Sequence, residues 1–297
     1  KHPDDLLLGH INLLVKRALS KGINLFKVLK AACVNPVLHY NLNVGLLRIM
    51  DNADFIIINN LKDFEILETY IDGKLVAQNG NSFIKTKPEK VINNFSIKEK
   101  NVADFELQVL TDKVRIIEVI DGQLITKNLE GNVLKNKNGK AISDIKNDIL
   151  KMSIVNRYHE APIASAIIKN FGLQQGAIAS SVAHDSHNII VVGVDDESMC
   201  KVVNALIQHK GGLAVAGVDS CTVLPLPIAG LMSQDSCEVV AEKYTALVHK
   251  AKNLGCTLHS PFMSLSFMAL LVIPSLKLSD RGLFDGDTFQ FCQLGID

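Results

Sequence analysis

The stretch GAIASSVAHDSHNIIVVG, residues 176–193, decides how the chain is read. Two short apolar runs, 176–182 and 189–192, flank five polar residues: His184, Asp185, Ser186, His187 and Asn188. Runs this short, rich in small and β-branched residues, read as buried strands. The polar cluster is then a loop at strand ends, where a rigid scaffold aims side chains. Two readings stand for it. Asp, Ser and Asn can cap backbone groups while the histidines bond to neighbours. Alternatively the loop contacts a substrate, does general acid–base work or, least favoured, binds a metal.

Outward from this loop, residues 149–156 read as a strand and 163–171 as a helix ended by Gly172. Downstream, Asp195 or Asp196 caps a helix running to about His209, with Glu197 adding favourable charge in its first turn. Residues 213–218 and 221–224 form a hairpin, and 236–254 a long helix closed by Gly255. Helices and strands alternate here, which predicts an α/β or α+β domain. Earlier, 105–109, 113–120 and 123–127 read as strands, with Asp121-Gly122 a hairpin turn and 136–139 a polar turn. The Asn- and Lys-rich stretch 79–101 reads as linker. Before it lie strands at 53–58 and 68–76, the latter folded at Asp72-Gly73. The first 36 residues read as two helices, 6–21 closed by Gly22, then 25–34 capped by Asn24 and broken at Asn35-Pro36. These helices carry little core of their own.

The 297 residues predict about two domains. With 47% hydrophobic and 21% charged residues the chain has material for a sizeable core. Lysine plus arginine equals aspartate plus glutamate, 31 each, which argues against a dedicated nucleic-acid binder. A small molecule in a pocket is the expected ligand. Cys33, Cys200, Cys221, Cys237, Cys256 and Cys292 form no C-x-x-C pair, so free thiols in a reducing cytoplasm are expected. No signal peptide or membrane span is read: the apolar run 266–276 is short, contains Pro274 and reads as core. The chain starts at Lys1 without Met and is expected to be a fragment of a longer protein.

Two further clusters carry polar chemistry. Lys1, His2, Pro3, Asp4 and Asp5 read either as a loop with Asp4 or Asp5 capping a helix, or as the rim of a site at the end of a barrel strand. Arg157, Tyr158, His159 and Glu160 read either as a solvated turn with an ion pair or as a substrate anchor. The segment LPLPIAGLMS, 224–233, is too apolar for a catalytic loop and reads as a rigid wall that packs or lines a purine-sized pocket. Residues 277–287 read as a polar loop, with a turn and ion pair at Asp280-Arg281-Gly282. Signatures for zincins, zinc deaminases, serine hydrolases and P-loops are missing.

Several longer motifs match one family. KHPDDLLLGHINLLVKRAL and AACVNP within 1–36, ADFIII at 53–58 and YIDGKLVAQNG at 70–80 resemble the end of an amidohydrolase-superfamily barrel and the β-sandwich that follows it. The stretch 176–193, with LPLPIAGLMS, PFMSLSFMAL at 261–270 and LKLSDRGLFD at 276–285, resembles the C-terminal domain of bacterial-type adenine deaminases. The resemblance implies a mixed α/β and β fold. Residues 1–45 would end a TIM-like (β/α)8 barrel, 46–95 would be β-sandwich strands, and 96–297 an α+β C-terminal domain. It implies metal-dependent hydrolysis of adenine to hypoxanthine and ammonia in purine salvage. Manganese or iron is expected in the full-length parent and no tightly bound ion in this chain, because the family's metal ligands belong upstream of Lys1. By itself the chain is expected to be inactive. His184, Asp185 and His187 are the candidate catalytic residues; Asp4, Asp5, Arg157 and Asn188 are the candidate substrate contacts. The expected partner is adenine, without nucleic acid or membrane, in a cytoplasmic homo-oligomer. The alternatives are a structural or oligomerisation module with 262–274 at a subunit interface, or the same scaffold acting on another cyclic amine or amide.

Overall fold

The computed structural model describes residues 2–85, 87 and 90–296. The chain divides into two units, Lys1–Glu89 and Lys90–Asp297. In the first, α1 (Pro3–Leu7) and α2 (Ile11–Ser20) replace the single helix expected over 6–21. Gly9 separates them at φ +128°, a backbone conformation that only glycine takes without strain. Asn24 caps α3 (Leu25–Leu29) as expected, accepting from the backbone of Phe26 and Lys27. The expected break at Asn35-Pro36 does not occur. A π-helical turn, Lys30–Val34, runs straight into α4 (Asn35–Tyr40). Pro36 sits in the first turn of α4, where a missing N–H costs least. A four-stranded antiparallel sheet follows in the order β1 (Phe55–Ile58), β2 (Ile66–Ile71), β3 (Lys74–Gln78), β4 (Asn81–Ser82). Asp72-Gly73 turns β2 into β3, as the sequence predicts. The small core of this unit is Val15, Val28 and Phe64.

Thr86, Pro88 and Glu89, part of the expected linker, lie outside the described residues, as does Lys1. From Lys90 onward the linker reading is corrected. Ser96 N–H donates to Arg157 C=O at 2.8 Å, and Ala229 N–H to Ile92 C=O at 2.7 Å, so this segment is bonded into the second unit. The strand expected at 105–109 does not form: Phe105 closes a 3-10 turn, Val102–Phe105, held by an Asn101–Asp104 capping box, and Gln108 makes an isolated bridge to Lys140. The turn drives Phe105 into the core.

The second unit is built on a nine-stranded sheet. Its strands include β5 (Lys113–Val119) and β6 (Thr126–Asn132); β7 (Leu134–Lys135) and β8 (Ala141–Ile142) form a separate small hairpin. The sheet continues with β9 (Ile149–Val155), β10 (Ala164–Lys169), β11 (Ala177–Ser180) and β12 (Ile189–Gly193). After α5 (Asp196–Gln208) come β13 (Gly212–Ala216) and β14 (Cys221–Pro225). The chain ends with α6 (Cys237–Asn253), α7 (Pro261–Phe267), the three-stranded sheet β15 (Leu276–Ser279), β16 (Gly282–Asp285) and β17 (Gln290–Phe291), and β18 (Gly295–Ile296). The large sheet runs β14-β13-β11-β12-β9-β10-β5-β18, with β6 also on β5. The β10–β5 pair is parallel.

Period-two alternation gives the sheet two cores. Leu150, Met152 and Ile154 of β9, Ile190 and Val192 of β12, and Leu213 and Val215 of β13 meet α6, α7 and the β15–β16 hairpin. On the other face Ala177, Ala179, Ala214 and Ala216 present small side chains to Met199, Val203 and Leu206 of α5. The helix expected at 163–171 is β10. Its Ala166 and Ile168 face one core and Ile167 the other, so apolar residues run on without a clear period. Strand β6 starts at Thr126 and runs to Asn132, later than expected. Residues 277–287 are hairpin and turn rather than a polar loop. Asp280 accepts from Asn156 Nδ2 at 2.8 Å, while Arg281 lies over the Phe291 ring at 5.5 Å. In the stretch 262–274, which the alternative reading puts at a subunit interface, Phe262, Leu265, Met268 and Ala269 belong to the chain's own core while Val272 is exposed.

Lys277 is fully buried and donates to the carbonyls of Leu124 at 2.7 Å and Phe267 at 3.1 Å. Burial pushes its pKa down from 10.5 to about 8. Between those values the unfolded chain binds the extra proton, so this residue's contribution to stability rises with pH across that window and is least favourable below it. Replacing Lys277 with Met removes the dependence. Urea unfolding of both proteins at pH 7 and pH 10 should show the variant doing relatively better at pH 7. A stability difference that does not change with pH would contradict this.

Candidate functional site

Five of the seven predicted site residues gather at one place in the second unit. Asn188, almost fully buried, accepts from Arg157 backbone N–H at 3.2 Å and donates to Ser186 Oγ at 3.3 Å. The Tyr158 hydroxyl donates to Ser186 C=O at 2.6 Å and accepts from Arg157 Nη2 at 3.1 Å. The end of β9 therefore grips the 184–188 loop at two points. On its other side the loop leans on α7. His184 N–H donates to Ser266 C=O at 3.2 Å, and its ring stacks on Phe267 with centroids 5.0 Å apart and planes 23° apart. His187 N–H donates to Ala183 C=O at 2.7 Å, and the two imidazoles lie 5.5 Å apart.

Arg157 is 4% exposed, so of the expected solvated turn only His159 and Glu160 lie at the surface. The Arg157 guanidinium lies over Phe95 at 5.6 Å and Tyr158 at 4.7 Å, and Nη1 donates to Asn93 Oδ1 at 3.4 Å. Gly230 makes the seat. A Cβ there would fall 2.1 Å from Arg157 Nη1, and its φ is +71°. The 224–233 segment is thus the wall behind this arginine, fixed further by Asn93 Nδ2 donating to Pro227 C=O at 2.8 Å. Asn156, next to Arg157, reaches Asp280. The four stretches at 176–193, 224–233, 261–270 and 276–285 so converge around the end of β9. The ion pair expected within 157–160 forms elsewhere, between Glu160 and Lys100.

Three buried side-chain atoms here have no hydrogen-bond partner: Arg157 Nε, His187 Nδ1 and Ser266 Oγ. Among the described residues the only other such atom is Ser143 Oγ, in another part of the fold. Burial above all lowers the His187 pKa; positive charge at His184 and Arg157 adds to this, and Asp185 opposes it. His187 is therefore neutral near pH 7, able to accept or hand on a proton. Asp185 is exposed, with Oδ1 3.9 Å from His184 Nδ1. Asp4 and Asp5 belong to the first unit. They occupy the first turn of α1 rather than its cap, which is His2. Sequence reading missed Asn93, Phe95, Phe267 and Gly230, since each reaches Arg157 or the loop from a distant part of the chain.

Among the described residues, no three His, Cys, Asp or Glu side chains are grouped so as to hold a metal ion. The loop's donors therefore do not fit a metal centre.

Residues 4–76 match the amidohydrolase family, and residues 123–290 match the adenine deaminase C-terminal domain. Curated relatives named adenine deaminase align along nearly the whole chain. The protein from Borreliella burgdorferi is 49% identical over 294 residues, covering 98% of this chain and 53% of its own length. Those from Salinibacter ruber and Methanosarcina mazei are 47% and 46% identical, covering all of this chain and 54% and 56% of their own. The chain spans about half the length of these relatives. The match over residues 123–290 takes in more than half of the chain and defines its class as a C-terminal domain of this type. The chain belongs to the adenine deaminase C-terminal domain family.

Substituting Gly230 with Ala should cost about 1–2 kcal/mol from the left-handed backbone alone, plus displacement of Arg157. Thermal unfolding checks the loss, and the Arg157 Nε–H resonance should move. A silent substitution would show that Gly230 does not seat the guanidinium.

Proposed function

We infer that this chain forms part of an adenine deaminase, a purine-salvage enzyme that hydrolyses adenine to hypoxanthine and ammonia. The observation that carries the reading is the convergence of four family-like stretches on one loop with a neutral, half-buried imidazole at its centre. Replacing the C6 amino group by oxygen requires that a proton reach the departing nitrogen. His187 moves that proton, with His184 and Asp185 beside it on the solvent side. Asn188 and Arg157 act on the substrate side, Arg157 by fixing the loop it holds; Asp4 and Asp5 stay candidate substrate contacts in their own unit. That unit, with its exposed apolar side chains Phe26, Leu47 and Ile56, is the closing part of a (β/α)8 barrel and the start of a β-sandwich.

The family is metal-dependent. Manganese or iron is the expected ion, held by residues outside the groups described above, and no step is routed through the 184–188 loop as a ligand. No described helix is long and apolar enough to cross a membrane. A cytoplasmic homo-oligomer acting on a small molecule, without nucleic acid, fits the balanced charge. Against the interface-module reading, Phe262, Leu265, Met268 and Ala269 lie inside the chain's own core.

The test joins this chain to the half of the Borreliella burgdorferi relative that it does not span. The fusion should release ammonia from adenine and not from cytosine or dihydropyrimidines. His187→Ala should lower turnover by about 10²–10⁴-fold, the usual range for a lost acid–base group, with unchanged unfolding. Unaltered turnover would remove His187 from the chemistry. Purified alone and equilibrated with manganese, the chain should retain less than stoichiometric metal; one tight ion per chain would mean that the loop ligates it.

A further inference from the structure

We propose that the buried Arg157 guanidinium, framed by Asn93, Phe95, Tyr158 and Gly230, is a receptor for a small anion of the carboxylate class. A buried cation is stable only when paired or fully hydrogen-bonded. Arg157 is neither. Among the described residues, the hydrogen bonds of its side chain go to two neutral oxygens, Asn93 Oδ1 and Tyr158 OH, and Nε is left without an acceptor. The acids nearby are engaged or solvated. Glu160 pairs with Lys100, Asp280 accepts from Asn156, and the Asp185 side chain is 81% exposed. The rings of Phe95 and Tyr158 offset part of the charge through their faces. They leave the edge of the guanidinium unanswered.

That edge fixes the ligand's chemistry. Nε carries one proton, and Nη2, bonded so far only to Tyr158, carries two. Two parallel N–H groups on a planar fork match the two oxygens of a carboxylate. A water molecule would satisfy one N–H but leave the charge uncompensated. Nε is enclosed, so the anion is small, of formate or acetate size. His187 Nδ1 and Ser266 Oγ, also buried and unpartnered, border the same loop. An anion here would tie down the support of the 184–188 loop. The inference does not depend on deaminase activity.

The test uses the chain as it is. Acetate is titrated at constant ionic strength against chloride while the Arg157 ¹⁵Nε–H resonance and thermal unfolding are followed. A saturable one-to-one shift with a rise in Tm is expected. Arg157→Lys keeps the charge but not the fork and should weaken binding by about tenfold or more. Tyr158→Phe frees Nη2 from its acceptor and should bind acetate at least as tightly as the native chain, which keeps the test valid if the arginine variant folds poorly. Three results would overturn the proposal. One is no saturable shift. Another is an equal shift with chloride alone. The third is an Nε–H that shows contact with a long-lived water and ignores acetate.

Discussion

Everything around the 184–188 loop depends on a single buried guanidinium. Arg157 leaves β9 at the point where the sheet ends, and its main chain and side chain hold different partners. Its backbone N–H fixes Asn188, and its C=O accepts from Ser96. The side chain fills a slot that exists because residue 230 has no Cβ. Burying an unpaired charge costs several kcal/mol, so the fold must supply compensating contacts. Asn93, Phe95 and Tyr158 supply part of them, from the segment that opens the unit and from the adjoining turn.

This arrangement explains why stretches far apart in the chain meet. The end of β9 provides the cation, 90–97 covers it, 224–233 walls it, and 184–188 is bonded over it. On the opposite side α7 receives the loop through Ser266 and Phe267. Lys277, buried beneath, bonds the Phe267 carbonyl and so braces that helix end. A neutral His187 follows from this packing: an imidazole partly enclosed beside a guanidinium and a second imidazole disfavours a proton.

Much of the frame was legible in the sequence because it rests on local physics. Strands β9, β11 and β12 were marked by apolar runs. Helices α5 and α6 began where Asp195 and Ser236 accept from the backbone of Ser198 and Val239. Strand β10 was misread because burial on both faces erases the period that separates strand from helix. Pro36 misled because a π-turn before it absorbed the break. The polar run at 157–160 reads as either a solvated turn or a substrate anchor, because the groups that bury Arg157 lie far off in sequence. The loop at 184–188 could be singled out as a site. That Arg157 would be its buried support could not, since a guanidinium is ordinarily exposed and nothing local announces the seat at Gly230.

The most direct test of this account is the titration of His187, followed by its imidazole proton resonances in the native chain and in Arg157→Met. The account predicts that His187 in the native chain titrates below the ordinary histidine value of 6.5. In the variant, which loses a neighbouring positive charge and the support of the loop, the titration should move upward. A native His187 that titrates at or above the ordinary value, indifferent to the loss of Arg157, would contradict it.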